Sequence, residues 1–206
     1  MVGVDVDYQL QQYRDARDTR SEIEASLPIQ GLVQYLQAER ILTNGFLAGD
    51  TSFRTQLTQS REQVDTFRQK LREEPVVADA TNRFGQLASI RAAVDSRTAN
   101  RKKTQAYYSE AIGALNAAEP AADKATRGDR ELRDSLAALQ ARAEAKEAGS
   151  QEISLLGGVL AAGSFRGTNF LDYVELRATR ISAMNRFFKL ATTTQSDACR
   201  SCSPRP

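Results

Sequence analysis

Residues 32–49, LVQYLQAERILTNGFLAG, carry a helical apolar stripe that runs straight through two charges, and no other stretch constrains the fold as much. Leu32, Val33, Leu36, Phe46 and Leu47 recur at three- and four-residue steps, so they form one face of a helix that packs inward. Continued through the middle, that face reaches Glu39 and Arg40. An acid and a base where the period assigns interior positions are costly to bury unless each is paired or bound to something. Such a pair is either partly solvated at the edge of a bundle or buried with partners from other helices.

A related arrangement recurs more than a hundred residues on. In residues 152–163, EISLLGGVLAAG, Glu152 stands seven positions before Val159-Leu160-Ala161, as Glu39 stands seven before Phe46-Leu47-Ala48. Glu152 also falls on an apolar stripe, that of Ala145, Ala148, Leu155, Leu156 and Val159. This pseudo-repeat predicts that the two helices are neighbours and that Glu39, Arg40 and Glu152 meet near mid-length.

Composition narrows the function. Of 206 residues, 41% are hydrophobic, enough for one sizeable core or two small ones stacked end to end. The net charge of +2 lacks the concentrated basicity that nucleic acid demands. With no His, and with both cysteines among the last eight residues, zinc sites, cysteine nucleophiles and Ser-His-Asp triads have no raw material. No cofactor, metal or catalytic residue is expected. No run of about eighteen apolar residues exists, so the chain as given neither crosses a membrane nor carries a secretory signal.

No segment alternates with period two. Helical periods are expected over residues 5–26, then past Pro28 to Gly49, over 53–73 with Arg61 and Asp65 as an i,i+4 pair, and from Pro75 through Val94. Further helices are expected around Tyr107 to Leu115, from an Asp129 cap to about Ala162, and from Leu171 to Leu190. Turns fall at Gly49 to Ser52, 95–100, 127–129 and 163–168. Helices of this length exceed what a compact globule of this size accommodates, so the fold class is all-α, an elongated antiparallel bundle of two stacked four-helix bundles sharing long helices. Residues 196–206 have no periodicity and read as a disordered or appended tail to a domain of residues 1–195; Cys199-x-x-Cys202 alone is a weak metal or redox signal.

The residues resemble a known family. Leu32-Val33-x-x-Leu36-Gln37-x-Glu39-Arg40-x-Leu42-Thr43-x-Gly45-Phe46-Leu47 is similar to the opening signature of the nitrate- and nitrite-sensing (NIT) domain. Arg61-x-x-x-Asp65, Leu87-x-x-Ile90-Arg91-x-x-Val94, Tyr107 or Tyr108, Lys146-Glu147, Gln151-Glu152 and Phe187 follow in the same order, over roughly residues 30–191. The resemblance implies a ligand-sensing input domain of a sensor-histidine-kinase type of receptor, placed outside the cell membrane between spans that lie beyond this chain. It also implies an anion held by two Arg residues, one per Glu-Arg motif, because a guanidinium fork matches a planar oxyanion.

The first of these is Arg40; at the second position this sequence has Glu152-Ile153. One cation and two carboxylates oppose a small anion unless Arg91, Arg97 or Lys146 reaches the site. The candidate ligand-binding residues are therefore Arg40, Glu39, Glu152 and Arg91, and the partner is nitrate or nitrite, another small molecule or a protein signal, with a homodimer possible. The competing function is a structural or interaction bundle in which the same residues form only a buried ionic network.

Overall fold

The computed structural model describes residues 28–71, 83–118 and 130–201, and every regular element among them is a helix. Helix α1 is described over residues 28–47. It is followed by α2 (Arg54–Leu71), a 3-10 turn (Arg83–Gln86) leading into α3 (Leu87–Asp95), and α4 (Arg101–Ala118). The second half holds α5 (Arg130–Ala162), α6 (Asn169–Leu190) and α7 (Thr193–Ser201). The expected helix over residues 5–26, the start at Pro75 and the turn at 127–129 lie outside the described residues.

The end of α1 shows how local sequence sets the fold. The Gly49 amide donates to the Phe46 carbonyl and the Asp50 amide to the Gly45 carbonyl, the paired bonds of a Schellman cap. Gly49 takes φ +112, which a side chain would strain. Asp50 then accepts from the Ser52 hydroxyl and amide and starts the return, and these two bonds hold its carboxyl below the usual range. Gly31 faces the ring of Phe67 so closely that α1 and α2 touch through glycine, and Gly45 faces the ring of Phe53, just before α2, in the same way.

Two cores result. The first joins Ile29, Leu32, Val33 and Leu36 of α1 to Val64 and Leu71 of α2, Phe84 and Leu87 beside α3, and Tyr108, Ile112 and Leu115 of α4. Each fully buried Leu or Ile there contributes roughly 1.5–3 kcal/mol. The second core packs Ala138 and Ala141 of α5 against Phe187 of α6 and Cys199 of α7. With 33 residues, α5 spans about 50 Å and serves both layers of the all-α antiparallel bundle. It lies antiparallel to α6, as the Arg186–Glu144 and Arg180–Glu152 pairs show, and parallel to α1, where bonded residues keep a near-constant sequence offset.

Two local expectations are corrected. Arg61 does not pair with Asp65; it donates to Asp95 at 2.8 Å, while Asp65 receives Arg91, because partners on α3 lie opposite both residues. Nor is the tail irregular from Ser196: α7 runs through Ser201 and buries Cys199 against Phe187. A nine-residue helix with one inward residue leaves no periodic trace.

Candidate functional site

The charged pair on the α1 stripe is buried inside the bundle, with Glu39 and Arg40 both 0% exposed. Consecutive residues on a helix point about 100° apart, so the two side chains enter different clusters.

Arg40 turns to the seam between α1, α4 and α5. Its Nη1 donates to Glu147 Oε1 at 2.6 Å and to Ser109 Oγ at 2.9 Å, and its Nη2 donates to Glu147 Oε2 at 3.2 Å and to Ser150 Oγ at 2.8 Å. Glu147 in turn accepts from Gln37 Nε2 at 2.8 Å and from Gln151 Nε2 at 2.7 Å. Its carboxylate thus takes four donors, and the fork of Arg40 is closed by a two-toothed carboxylate. Of the three Arg40 nitrogens, Nε alone has no hydrogen-bond partner among the described residues. Further along the seam, Asn44 Nδ2 donates to the Ser154 carbonyl, and Gln105 of α4 bonds the Ser154 hydroxyl at 2.8 Å.

Glu39 turns to α3 and α4. It accepts from Arg91 Nε and Nη2, each at 2.8 Å, and from the Tyr108 hydroxyl at 2.7 Å, with Arg61 Nε at 3.7 Å. Arg91 Nη1 reaches on to Asp65 at 2.8 Å. Burial works against the charge on Arg91, yet Glu39 and Asp65 outweigh it and hold the guanidinium above its ordinary value. Burial, and then the charge of Glu39, push the Tyr108 phenol up in turn.

Glu152 does not meet Arg40. It accepts from Arg180 Nε of α6 at 2.9 Å. The α1–α5 register presents Glu147, Ser150 and Ser154 to α1, and Glu152, two residues past Ser150, stands about 200° round the helix and faces α6. The pseudo-repeat survives in another form: the Glu of each copy is approached by an Arg of the next helix, Arg61 for Glu39 and Arg180 for Glu152. Glu39 and Arg91 do come together. Of the cations that were to assist Arg40, Arg91 is engaged by Glu39, Arg97 lies over the Phe46 ring at 5.2 Å, and Lys146 approaches Gln34 at 3.5 Å. Sequence reasoning missed Ser109, Glu147 and Ser150 as the ligands of Arg40; the i,i+3 spacing of Glu147 and Ser150 was the available signal.

Comparisons with known proteins bear on the family and the fold. A family model described as nitrate and nitrite sensing matches residues 31–201. A solved structure, that of the NasR transcription antiterminator, superposes with a TM-score of 0.73 at 19% identity, covering 97% of this chain. The present chain spans 59% of that one. No curated protein matches significantly. The expected placement outside the membrane of a receptor is corrected by one finding: the same fold occurs in a transcription antiterminator, so the fold does not require that placement. No described helix is long and apolar enough to cross a membrane. The Glu-Arg motif within α1, the all-helical fold and a family match across nearly the whole described region lead to one conclusion, that this chain belongs to the nitrate and nitrite sensing (NIT) family.

Proposed function

We propose that this chain is the ligand-sensing input module of a larger regulatory protein, and that Arg40 locks its helices together rather than clamping nitrate. The observation that carries this reading is the closure of the Arg40 fork by Glu147, which fills the geometry a planar oxyanion would use. An incoming nitrate would have to displace a carboxylate that holds three side chains at once. Ile153, at the position where the resemblance implies a second cation, supplies no charge to help it. The sensing role rests on family membership, and the partial coverage of the antiterminator fits an input module joined to a separate output.

Thermal melts at constant ionic strength test the reading. Nitrate and nitrite should give no shift beyond that of chloride, and Arg40→Ala should lower stability by about 3 kcal/mol because Glu147 loses its buried partner. A saturable nitrate shift that disappears in Arg40→Ala would overturn it, since a ligand that binds only the folded state must stabilise it.

A further inference from the structure

Beside the Arg40 seam, a cleft of about 650 Å³ opens between α1, α5 and α6. Arg40 does not line it, although its ligand Ser150 does. Its size lies within the range of small-molecule sites, roughly 300–1,000 Å³. Two features of the lining are independent of each other. Arg142, Lys146, Arg177 and Arg180 line the cleft, and among the described residues no Asp or Glu does. Only Arg180 has a carboxylate partner, Glu152 behind it; the other three have none among the described residues. Three charges without a carboxylate partner among the described residues therefore share one cleft, in a chain whose net charge is +2. Arg142 and Lys146, one helical turn apart, repel each other, so holding this pair of charges together costs stability.

The second feature is apolar. Ile41, Ile153, Ile181 and Met184 line the same cleft, and Ile153 and Ile181 remain 58% and 48% exposed. An inorganic oxyanion would satisfy the cations and leave the isoleucines wet. A neutral apolar molecule would do the reverse, leaving the charges unmet. We infer that this cleft binds an organic anion with an apolar body, a carboxylate or sulfonate whose head pairs with Lys146 and the arginines while its body covers Ile153 and Ile181. The inference rests on the sensing reading above and names the ligand class of that module. Because Gln37 and Ser150 belong both to the cleft and to the Arg40 seam, an occupant of the cleft touches the contact between α1 and α5.

Isothermal titration of the full chain with 2-naphthoate, at constant ionic strength, tests it. The expected result is saturable one-to-one binding, weakened at least about tenfold by Lys146→Glu and by Ile153→Asp. Lys102→Glu, a charge reversal of equal size on the exposed face of α4, should leave it unchanged. Both cleft positions are solvent-exposed, and circular dichroism melts are to check that each variant folds. Absence of binding, equal affinity for the neutral 2-naphthamide, or equal affinity in all variants would overturn the proposal. So would binding confined to anionic phosphatidylglycerol vesicles, because the occupant would then be a lipid surface. Hydrogen exchange separates the two readings. If 2-naphthoate binds as expected while protection along residues 37–44 and 147–154 stays unchanged, the cleft stands and the sensing role falls; if it does not bind, the cleft alone falls.

Discussion

Arg40 of α1 and Glu147 of α5 form a two-toothed ion pair in which the Arg is fully buried and the Glu side chain is 15% exposed. Removing either partner strands the other charge among donors or acceptors that cannot replace it, so single truncations are costly. Arg40→Ala and Glu147→Ala should each lose about 3 kcal/mol in urea denaturation, and Arg40→Met with Glu147→Leu should recover much of the loss. A double variant as unstable as the sum of the singles would show that the two residues act independently.

Alkaline pH probes the other cluster. Burial, with smaller contributions from neighbouring charges, pushes Tyr107 up to about 12, and Tyr108 moves in the same direction against Glu39. A phenol that holds its proton more tightly when folded contributes stability that is complete below about pH 10, the unfolded value, and lost as pH rises through the folded value. Denaturation midpoints should therefore fall between about pH 10 and 12, and Tyr108→Phe should flatten that fall. At neutral pH the same variant leaves Glu39 one donor short, which costs about 1–2 kcal/mol. An unchanged alkaline profile in Tyr108→Phe would place the titrating group elsewhere.

The conflict on the α1 stripe was legible because a helical period can be read from one chain segment, and it located Glu39 and Arg40 as interior charges. Their partners were not legible. Which residues of α5 face Arg40 depends on the register between two helices, and a shift of two residues separates Ser150, which bonds it, from Glu152, which bonds Arg180. Arg61 and Asp65 fail for the same reason: their i,i+4 spacing is a local signal, and the partners on α3 are closer. Gly49, by contrast, acts through its own backbone, and the sequence placed it correctly as the end of α1.

Close helix approach gives a third test. A Cβ built on Gly31 would lie 2.5 Å from Phe67 Cε1, inside any real contact distance. Alanine gains about 1 kcal/mol in helix propensity there, but overpacking against a ring wedged between α1 and α2 costs about 1–3 kcal/mol. Gly31→Ala should thus be destabilising on balance, and Phe67→Leu should relieve it in the double variant. A melting temperature at or above that of the parent would show that the ring moves aside freely.

Lys146 supplies the last test, in which stability and binding are expected to move in opposite directions. Burial, and then the charge of Arg142, lower its pKa, so the folded chain disfavours the charged form. For a lysine the sign is a penalty, present below the folded pKa and gone above about pH 10.4, where the unfolded side chain also loses its proton. Lys146→Met removes the one-turn repulsion and keeps the apolar stem, so it should raise stability by about 0.2–0.5 kcal/mol at neutral pH. That gain should shrink as the solution is made alkaline. A charge retained against stability is what a binding group looks like, and the same variant should weaken 2-naphthoate in titration. If Lys146→Met instead lowers stability at neutral pH, the ammonium has a folding partner and is not held for a ligand.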